Sequence, residues 1–593
     1  MEHYNFWTKF KENTPKKSIK NFIDFFESRG FRVKILVTRS EIDTYSTITR
    51  LYYKDKLVRE AYGKGMTEDF AKASGLGELY EDVCNNIAYN DNMLFARKFN
   101  ELSLKERGYC IQPTEKELTP KEILKHRPVK DEILDTIADG NYELAKDIVN
   151  MITDNHPIGL EYTNVLTGEK TYADKRISFF IDGSNGSAGG NDYYEAFNQG
   201  FSEIIERMHQ IPFFESPNFP HTILTKEAIK NPKLIELYDK IEALGNKVYV
   251  IDCSYLLNLP VMAVLIVDLY NHRTVMDFGC FPIFDIALER CFTEIYQGSG
   301  KLHENLIGQI QVPYRTINPE QRVTTHFLVK TENFTCHPYE FFKNLKYTSD
   351  SPNWNVFLKD TGELNNLTIY NYYMRLIEAC GWNVYVNNMS LSKNLAAVHI
   401  LFDSFKVTGS RKHFFDLKQM NWDAVKTIYQ MGLKMADNFT SEDYSYDKIK
   451  EIYNLAYIKY YPMETGFIYG SCFPTGPLAV LGPNDYFSIL EKYPLIIDMI
   501  LEGEDLKAGI KYGLEWDNLI KFAMLNRYKH CNAYSEAEIK DILKIFGIIY
   551  TDEDFKRSDD VDYMLEHIFI LPYRDFYFSK DYKNIIRGLY KEE

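Results

Sequence analysis

Hydrophobic spacing divides the chain into two stretches with different rhythms. Ile19, Phe22, Ile23, Phe25 and Phe26 recur at helical intervals and predict a helix over Ser18–Arg29 that stops at Gly30. Phe31–Thr38 and Tyr45–Tyr53 are rich in β-branched and aromatic residues and read as strands. Thr67–Asn86 reads as a helix, Ile177–Ile181 as a strand and Asp192–His209 as a second long helix. Lys247–Asp252, Val261–Asp268 and Thr274–Phe278 are β-rich runs, followed by a helix over Ile283–Tyr296. Such alternation predicts an α/β unit of mixed sheet and helix. Beyond residue 415 the segments Trp422–Ala436, Tyr446–Tyr460, Asn484–Ile500, Trp516–Tyr528 and Glu536–Phe546 predict a C-terminal, mainly helical domain. The expected domains are therefore 1–415 and 416–593.

Three of the predicted helices carry a polar stripe. At ~100° per residue, Ser74, Glu78 and Glu81 align at i, i+4 and i+7, with Leu76, Leu79 and Val83 opposite. Asn191, Glu195, Glu203 and Glu206 project within a sector of roughly 120°, backed by Phe197, Phe201, Ile204, Ile205 and Met208. Arg290, Glu294 and Gln297 repeat the first spacing, with Leu288, Phe292 and Ile295 behind them. A single stripe of this kind is ordinarily a solvated face, and that alternative stays open for each helix taken alone. The second helix, however, follows the glycine-rich turn Asp182–Asn191, which permits close backbone approach to a ligand. Together the five glutamates and Asn191 form a set of hard oxygen donors suited to magnesium carrying nucleotide phosphates. Like charges so concentrated repel unless a cation neutralises them.

Charge and composition act mainly by exclusion. A net charge of −15 over 593 residues weighs against bulk attraction to nucleic-acid phosphate or an anionic membrane. Nine cysteines without a C-x-x-C pair read as reduced thiols, and no H-E-x-x-H suggests zinc. Met1–Lys17 has no apolar core of a signal peptide. The longest apolar run, near Val261–Val267, falls short of the ~18 residues a membrane span needs; a cytoplasmic protein is expected. Gln297-Gly298-Ser299-Gly300-Lys301 looks like the end of a P-loop, but Leu302 stands where Ser or Thr is required. A nucleotide would need a different architecture.

The blocks bearing the three stripes resemble the YcaO family, ATP-dependent enzymes that activate peptide backbone amides. The family's S-x-x-x-E-x-x-E-R helix is met by Ser74, Glu78 and Glu81, with Asp82 at the arginine position. Its second block, S-x-x-N-x-x-x-E followed by E-x-x-E-R, is met by Asn191, Glu195, Glu203, Glu206 and Arg207, with Ala188 at the serine position. The third, A-L-x-R-x-x-x-E-x-x-Q, is met by Ala287, Leu288, Arg290, Glu294 and Gln297. The likeness extends to the stand-alone enterobacterial branch, whose nucleotide-contacting residues near the N-terminus correspond to Lys11 and Ser18.

The resemblance implies ATP and Mg2+ as cofactors. ATP would be held by Lys11, Ser18, Ser74, Glu78, Asn191, Glu195, Arg207, Arg290 and Gln297, and Mg2+ by Glu78, Glu81, Asn191, Glu195, Glu203 and Glu206. It implies that a nucleophile adds to a backbone amide carbonyl and that ATP phosphorylates the resulting oxyanion, giving an azoline, thioamide or amidine in a peptide or protein substrate. It also implies a bacterial setting, in natural-product peptide chemistry or beside a partner modification protein, and a homodimer. A second reading is a non-catalytic nucleotide-binding accessory protein that supports ribosomal-protein methylthiolation. Two further expectations concern departures: Asp82 reverses a charge beside the phosphate site, and the ending Leu589–Glu593, with its last proline at Pro572, differs from the proline-rich tail of azoline formers. No general base can be named from the sequence.

Overall fold

The computed structural model describes most of residues 11–402, together with 537 and 551–557; segments 86–114, 301–345, 351–364, nearly all of 403–593 and several short loops lie outside the described residues. The helical domain expected over 416–593 falls almost entirely in that outside portion. The chain opens with α1 (Pro15–Glu27), started by the Thr14 side chain accepting from the Lys17 N–H, with Pro15 in the first turn. It stops where Gly30 takes a φ of 84°. Strands β1 (Phe31–Arg39), β2 (Tyr45–Tyr53) and β3 (Lys56–Gly65) form an antiparallel sheet in sequence order. Then comes α2 (Glu68–Cys84), capped by Thr67.

The middle of the chain runs through β4 (Glu115–Glu117), α3 (Tyr142–Thr153), β5 (Ile158–Asn164), β6 (Lys170–Asp174), α4 (Lys175–Asp182), β7 (Ser187–Gly190) and α5 (Tyr193–Glu215). It continues with β8 (Thr222–Leu224), α6 (Pro232–Ala243), β9 (Asn246–Asp252), β10 (Val261–Asp268), β11 (Arg273–Cys280) and α7 (Phe284–Ile295). The last described elements of this unit are β12 (Tyr347–Thr348), α8 (Asn366–Cys380), β13 (Val384–Asn388) and β14 (Ala396–Phe402). One sheet has the order β11-β10-β9-β8-β12 and another β4-β5-β13-β14-β7, with β6 on β5. Among the described residues the β8–β12 pairing is parallel and the rest are antiparallel. This is the mixed α/β architecture the sequence predicts. No described helix is long and apolar enough to cross a membrane.

Two cores hold the helices in place. Phe22, Phe25 and Phe26 of α1 pack against Leu76, Leu79 and Tyr80 of α2, all buried. The Phe25 and Tyr80 rings meet edge to face at 4.9 Å. The larger core lies between α5, α7 and the β9–β11 strands, where Val261 to Ile266 are buried without interruption.

Glycines set the helix-to-sheet spacing. A Cβ on Gly63 would lie 2.3 Å from Ala71 O and from Gly75 N, so α2 sits on β3 backbone against backbone. A Cβ on Gly189 would lie 2.4 Å from Gly77 O of α2, and one on Gly190 would lie 2.9 Å from Ala196 N of α5, so β7 is a thin spacer between these two helices. A Cβ on Gly279 of β11 would meet Ala287 O of α7 at 2.1 Å.

Two local expectations are corrected. Ile177–Ile181 is part of helix α4, not a strand. A short apolar run carries no decisive periodicity, and tertiary context selects the helix. The glycine-rich turn before α5 contains strand β7, paired with β14 through Ala188 with Val398 and Gly190 with Ala396. Ser-Ala-Gly-Gly has little strand propensity, and the close packing on both sides explains its glycines.

Candidate nucleotide site

Where α2, α5 and α7 converge, the structure has a cavity of about 540 Å³, within the usual range for small-molecule sites. Lys11, Ser18, Ser74, Glu78, Glu81, Asn191, Glu195, Glu203, Glu206, Arg207, Arg290 and Gln297 all line it, so the structure brings every site residue expected from the sequence to one place. Helix geometry explains the convergence. Each polar stripe faces inward because the opposite face of its helix is committed to core. Ser74, Glu78 and Glu81 come from α2, Glu195 to Arg207 from α5, and Arg290 and Glu294 from α7, with Gln297 just beyond it.

The N-terminal segment closes one side. Ser18 Oγ donates to Asn191 Oδ1 at 2.7 Å, and Asn13 Nδ2 donates to the same oxygen at 3.2 Å. Lys11 Nζ lies 3.0 Å from Glu195 Oε1, and Asn191 Nδ2 donates to Glu195 Oε2 at 2.9 Å. Asp192 Oδ1 accepts from the Glu195 N–H at 2.7 Å and so caps the start of α5. Further along α5, Arg207 stands 3.8 Å from Glu203 and 4.0 Å from Glu206. On the α7 side, Arg290 donates to Gln199 Oε1 at 3.1 Å.

Acidic side chains on the wall outnumber basic ones, eight to four. Burial raises the Glu81 carboxyl well above its ordinary range, and neighbouring Asp82, Glu78 and Glu203 add to the rise against Lys175. Burial also raises Glu203, with Arg207 opposing it. Among the described residues no three acidic, His or Cys side chains converge tightly enough to hold a metal by themselves. The oxygen donors are instead distributed, several of them turned toward Lys11, Arg207 or Lys64. That suits Mg2+, which keeps water and takes one or two carboxylates while phosphate oxygens complete its shell. The donor set thus fits a magnesium–phosphate group and fits poorly a bare structural ion.

Sequence reasoning missed three charged wall residues, Lys64, Asp277 and Glu289. Lys64 on β3 donates to Gln297 Oε1 at 3.0 Å and pairs with Glu294. Burial, then Arg290, pushes its pKa down to about 8, against Glu78, Glu206 and Asp277. Its signal was Gly63-Lys64-Gly65, since glycines on both sides mark a backbone packed close to a neighbour. Glu289 was also passed over, as the unassigned position before Arg290. Asp82, at the family's arginine position, is not on the cavity wall; it accepts from Arg59 Nε of β3 at 2.8 Å, while its charge still adds to the rise of the Glu81 carboxyl. Beside Ala188, the Ser187 hydroxyl also lines the wall and accepts from the buried Lys175 at 3.2 Å.

Comparison with known proteins finds relatives in sequence and in structure. The ribosomal protein S12 methylthiotransferase accessory factor YcaO of Escherichia coli K12 is 25% identical over 331 residues, 54% of each chain. The chain spans about half the length of the curated relatives it matches. Among solved structures, a heterocyclase in complex with substrate and cofactor aligns with a TM-score of 0.45 at 16% identity, over 67% of this chain and 53% of that one. YcaO from Methanopyrus kandleri bound with AMPPCP and Mg2+ aligns with a TM-score of 0.41 at 15% identity, over 68% and 94%. The family described as YcaO cyclodehydratase, ATP- and Mg2+-binding, matches residues 62–405, more than half of the sequence, and this chain belongs to the YcaO family.

Proposed function

We propose that the cavity binds Mg2+–ATP and uses it to activate a backbone amide of a peptide or protein. The observation that carries this reading is the convergence of all twelve expected site residues on one acidic cavity. ATP would supply the phosphoryl group that turns an amide oxygen into a leaving group, and Mg2+ would neutralise the phosphates. Glu78, Glu81, Asn191, Glu195, Glu203 and Glu206 hold the metal. Ser74, Arg207 and Arg290 contact phosphate, while Lys11, Ser18 and Gln297 close around the nucleotide. The E. coli relative named an accessory factor supports a second reading, in which the same site is used without turnover to sustain another modifying system.

Binding of Mg2+–ATP to the Glu78→Gln and Glu206→Gln variants tests the site. Each is expected to weaken affinity at least tenfold, with the loss vanishing when Mg2+ is omitted. Unchanged magnesium-dependent affinity in both variants rejects the assignment. ADP release upon adding peptides then separates turnover from an accessory role.

A further inference from the structure

The third site helix carries a carboxylate that no block residue accounts for. Glu289 lines the cavity and is partly buried on the α7 face that also bears Ile286, one turn earlier. Most other wall glutamates are engaged: Glu195 with Lys11 and Asn191, Glu203 and Glu206 with Arg207, Glu294 with Lys64. Thr293 donates its hydroxyl to the Glu289 backbone carbonyl at 3.1 Å, not to the carboxylate. Among the described residues no hydrogen bond or ion pair is made by the Glu289 carboxylate. Within the cavity it therefore stands ready to exchange a proton with a bound molecule without first breaking an ion pair.

We propose that Glu289 is the proton acceptor of the amide-activation reaction, taking the proton of the attacking nucleophile as that atom bonds to the amide carbon. The bond from the nucleophilic atom to hydrogen breaks, the new bond to carbon forms, and the carbonyl π pair moves onto oxygen; the proton ends on Glu289. The inference rests on the function proposed above. It adds the base that the sequence blocks do not name. Supporting it, burial raises the Glu289 pKa to about 8; Asp285 on its own helix raises it further, while Arg290 beside it and Lys11 from the N-terminal segment oppose the rise. A carboxyl titrating near the working pH both accepts and releases a proton readily.

The test uses the full chain, wild type and Glu289→Gln, with Glu289→Asp as the conservative control. Mg2+–ATP binding is measured directly. ADP release is followed from pH 6 to 9 with a pool of Cys-, Ser- and Thr-containing peptides, with and without sulfide. In the Gln variant kcat is expected to fall by about 10²–10⁴-fold, with Mg2+–ATP affinity within twofold of wild type. The inflection of the wild-type rate profile near the Glu289 pKa should disappear, and Asp should restore part of the rate. An active wild type whose profile and kcat survive the Gln change overturns the role of Glu289 alone. A wild type that binds Mg2+–ATP but releases no ADP with any pool overturns the amide-activation reading and this inference with it.

Discussion

Replacing Gly63 with alanine tests whether the glycine contacts hold the site helices in register. The added methyl would lie 2.3 Å from Ala71 O and Gly75 N and 2.5 Å from Thr47 Oγ1, all far inside normal contact. Two of these atoms are backbone, so relief requires α2 to move off β3. Overpacking of this kind costs about 1–3 kcal/mol. The shift also strains the hydrogen bond from Thr47 Oγ1 to Ala71 O, 3.0 Å long and worth about 1 kcal/mol. Reduced freedom of the unfolded chain offsets about 0.4–1 kcal/mol, leaving a net destabilisation of about 1–3.6 kcal/mol. Gly77, on the same helix, is the internal control. Its methyl would meet only Phe22 Cζ, at 3.8 Å, and Gly77→Ala should stabilise by about 0.5–1 kcal/mol. Guanidinium unfolding and hydrogen exchange of the α2 amides read both effects locally. A Gly63→Ala protein at least as stable as wild type would refute the argument that backbone contact sets the spacing.

Other outcomes follow from buried and paired charges. His209 is fully buried, hydrogen-bonded through Nδ1 to Ile205 O at 2.8 Å, and pushed by burial to a pKa of about 4. Its folded pKa lies below the unfolded value of ~6.5, so the unfolded chain binds more protons between them. Stability is full above that window and falls as the pH drops through it; unfolding midpoints should show that His209→Gln removes about 3 kcal/mol of this pH dependence. Retention of the wild-type slope by the variant would contradict the assignment. Arg59 and Asp82 form a partly exposed pair at 2.8 Å. Arg59→Ala should therefore cost under about 1 kcal/mol and leave Mg2+–ATP affinity within twofold, since neither residue lines the cavity. A tenfold loss of affinity would restore Asp82 to the phosphate site.

The site helices were legible because each is long, amphipathic and bounded by clear signals. Gly30 ends α1 as the sequence suggests, and Thr67, read as the first residue of the second helix, caps α2. What was not legible is set by tertiary contact. Ser187–Gly190 becomes a strand only because β14 offers Val398 and Ala396 as partners. Ile177–Ile181 lacks a period long enough to distinguish helix from strand. Lys64 reaches the wall from a strand whose register is fixed by β2, at Ser46 opposite Lys64. The fate of Asp82 depended on Arg59, 23 residues away, which helical periodicity cannot reveal. Glu289 escaped notice because reading α7 for its repeated residues passes over the one between them.

The seats at Gly63, Gly189, Gly190 and Gly279 also say something about how such a cavity can diverge. Its width is fixed by main-chain atoms at these seats, whereas its chemistry is fixed by side chains of the helices that rest on them. The two properties separate at Gly63, where the atoms nearest an added methyl are backbone and Thr47 and none is a wall side chain, and are coupled at Gly189 and Gly279, where it would also come within 3.5 Å of Glu81 and 2.9 Å of Arg290. A protein built this way can keep its grip on one reagent and drift toward new acceptors. Changes at the wall would retune which molecule is received, and changes at the seats would be felt by everything bound there at once.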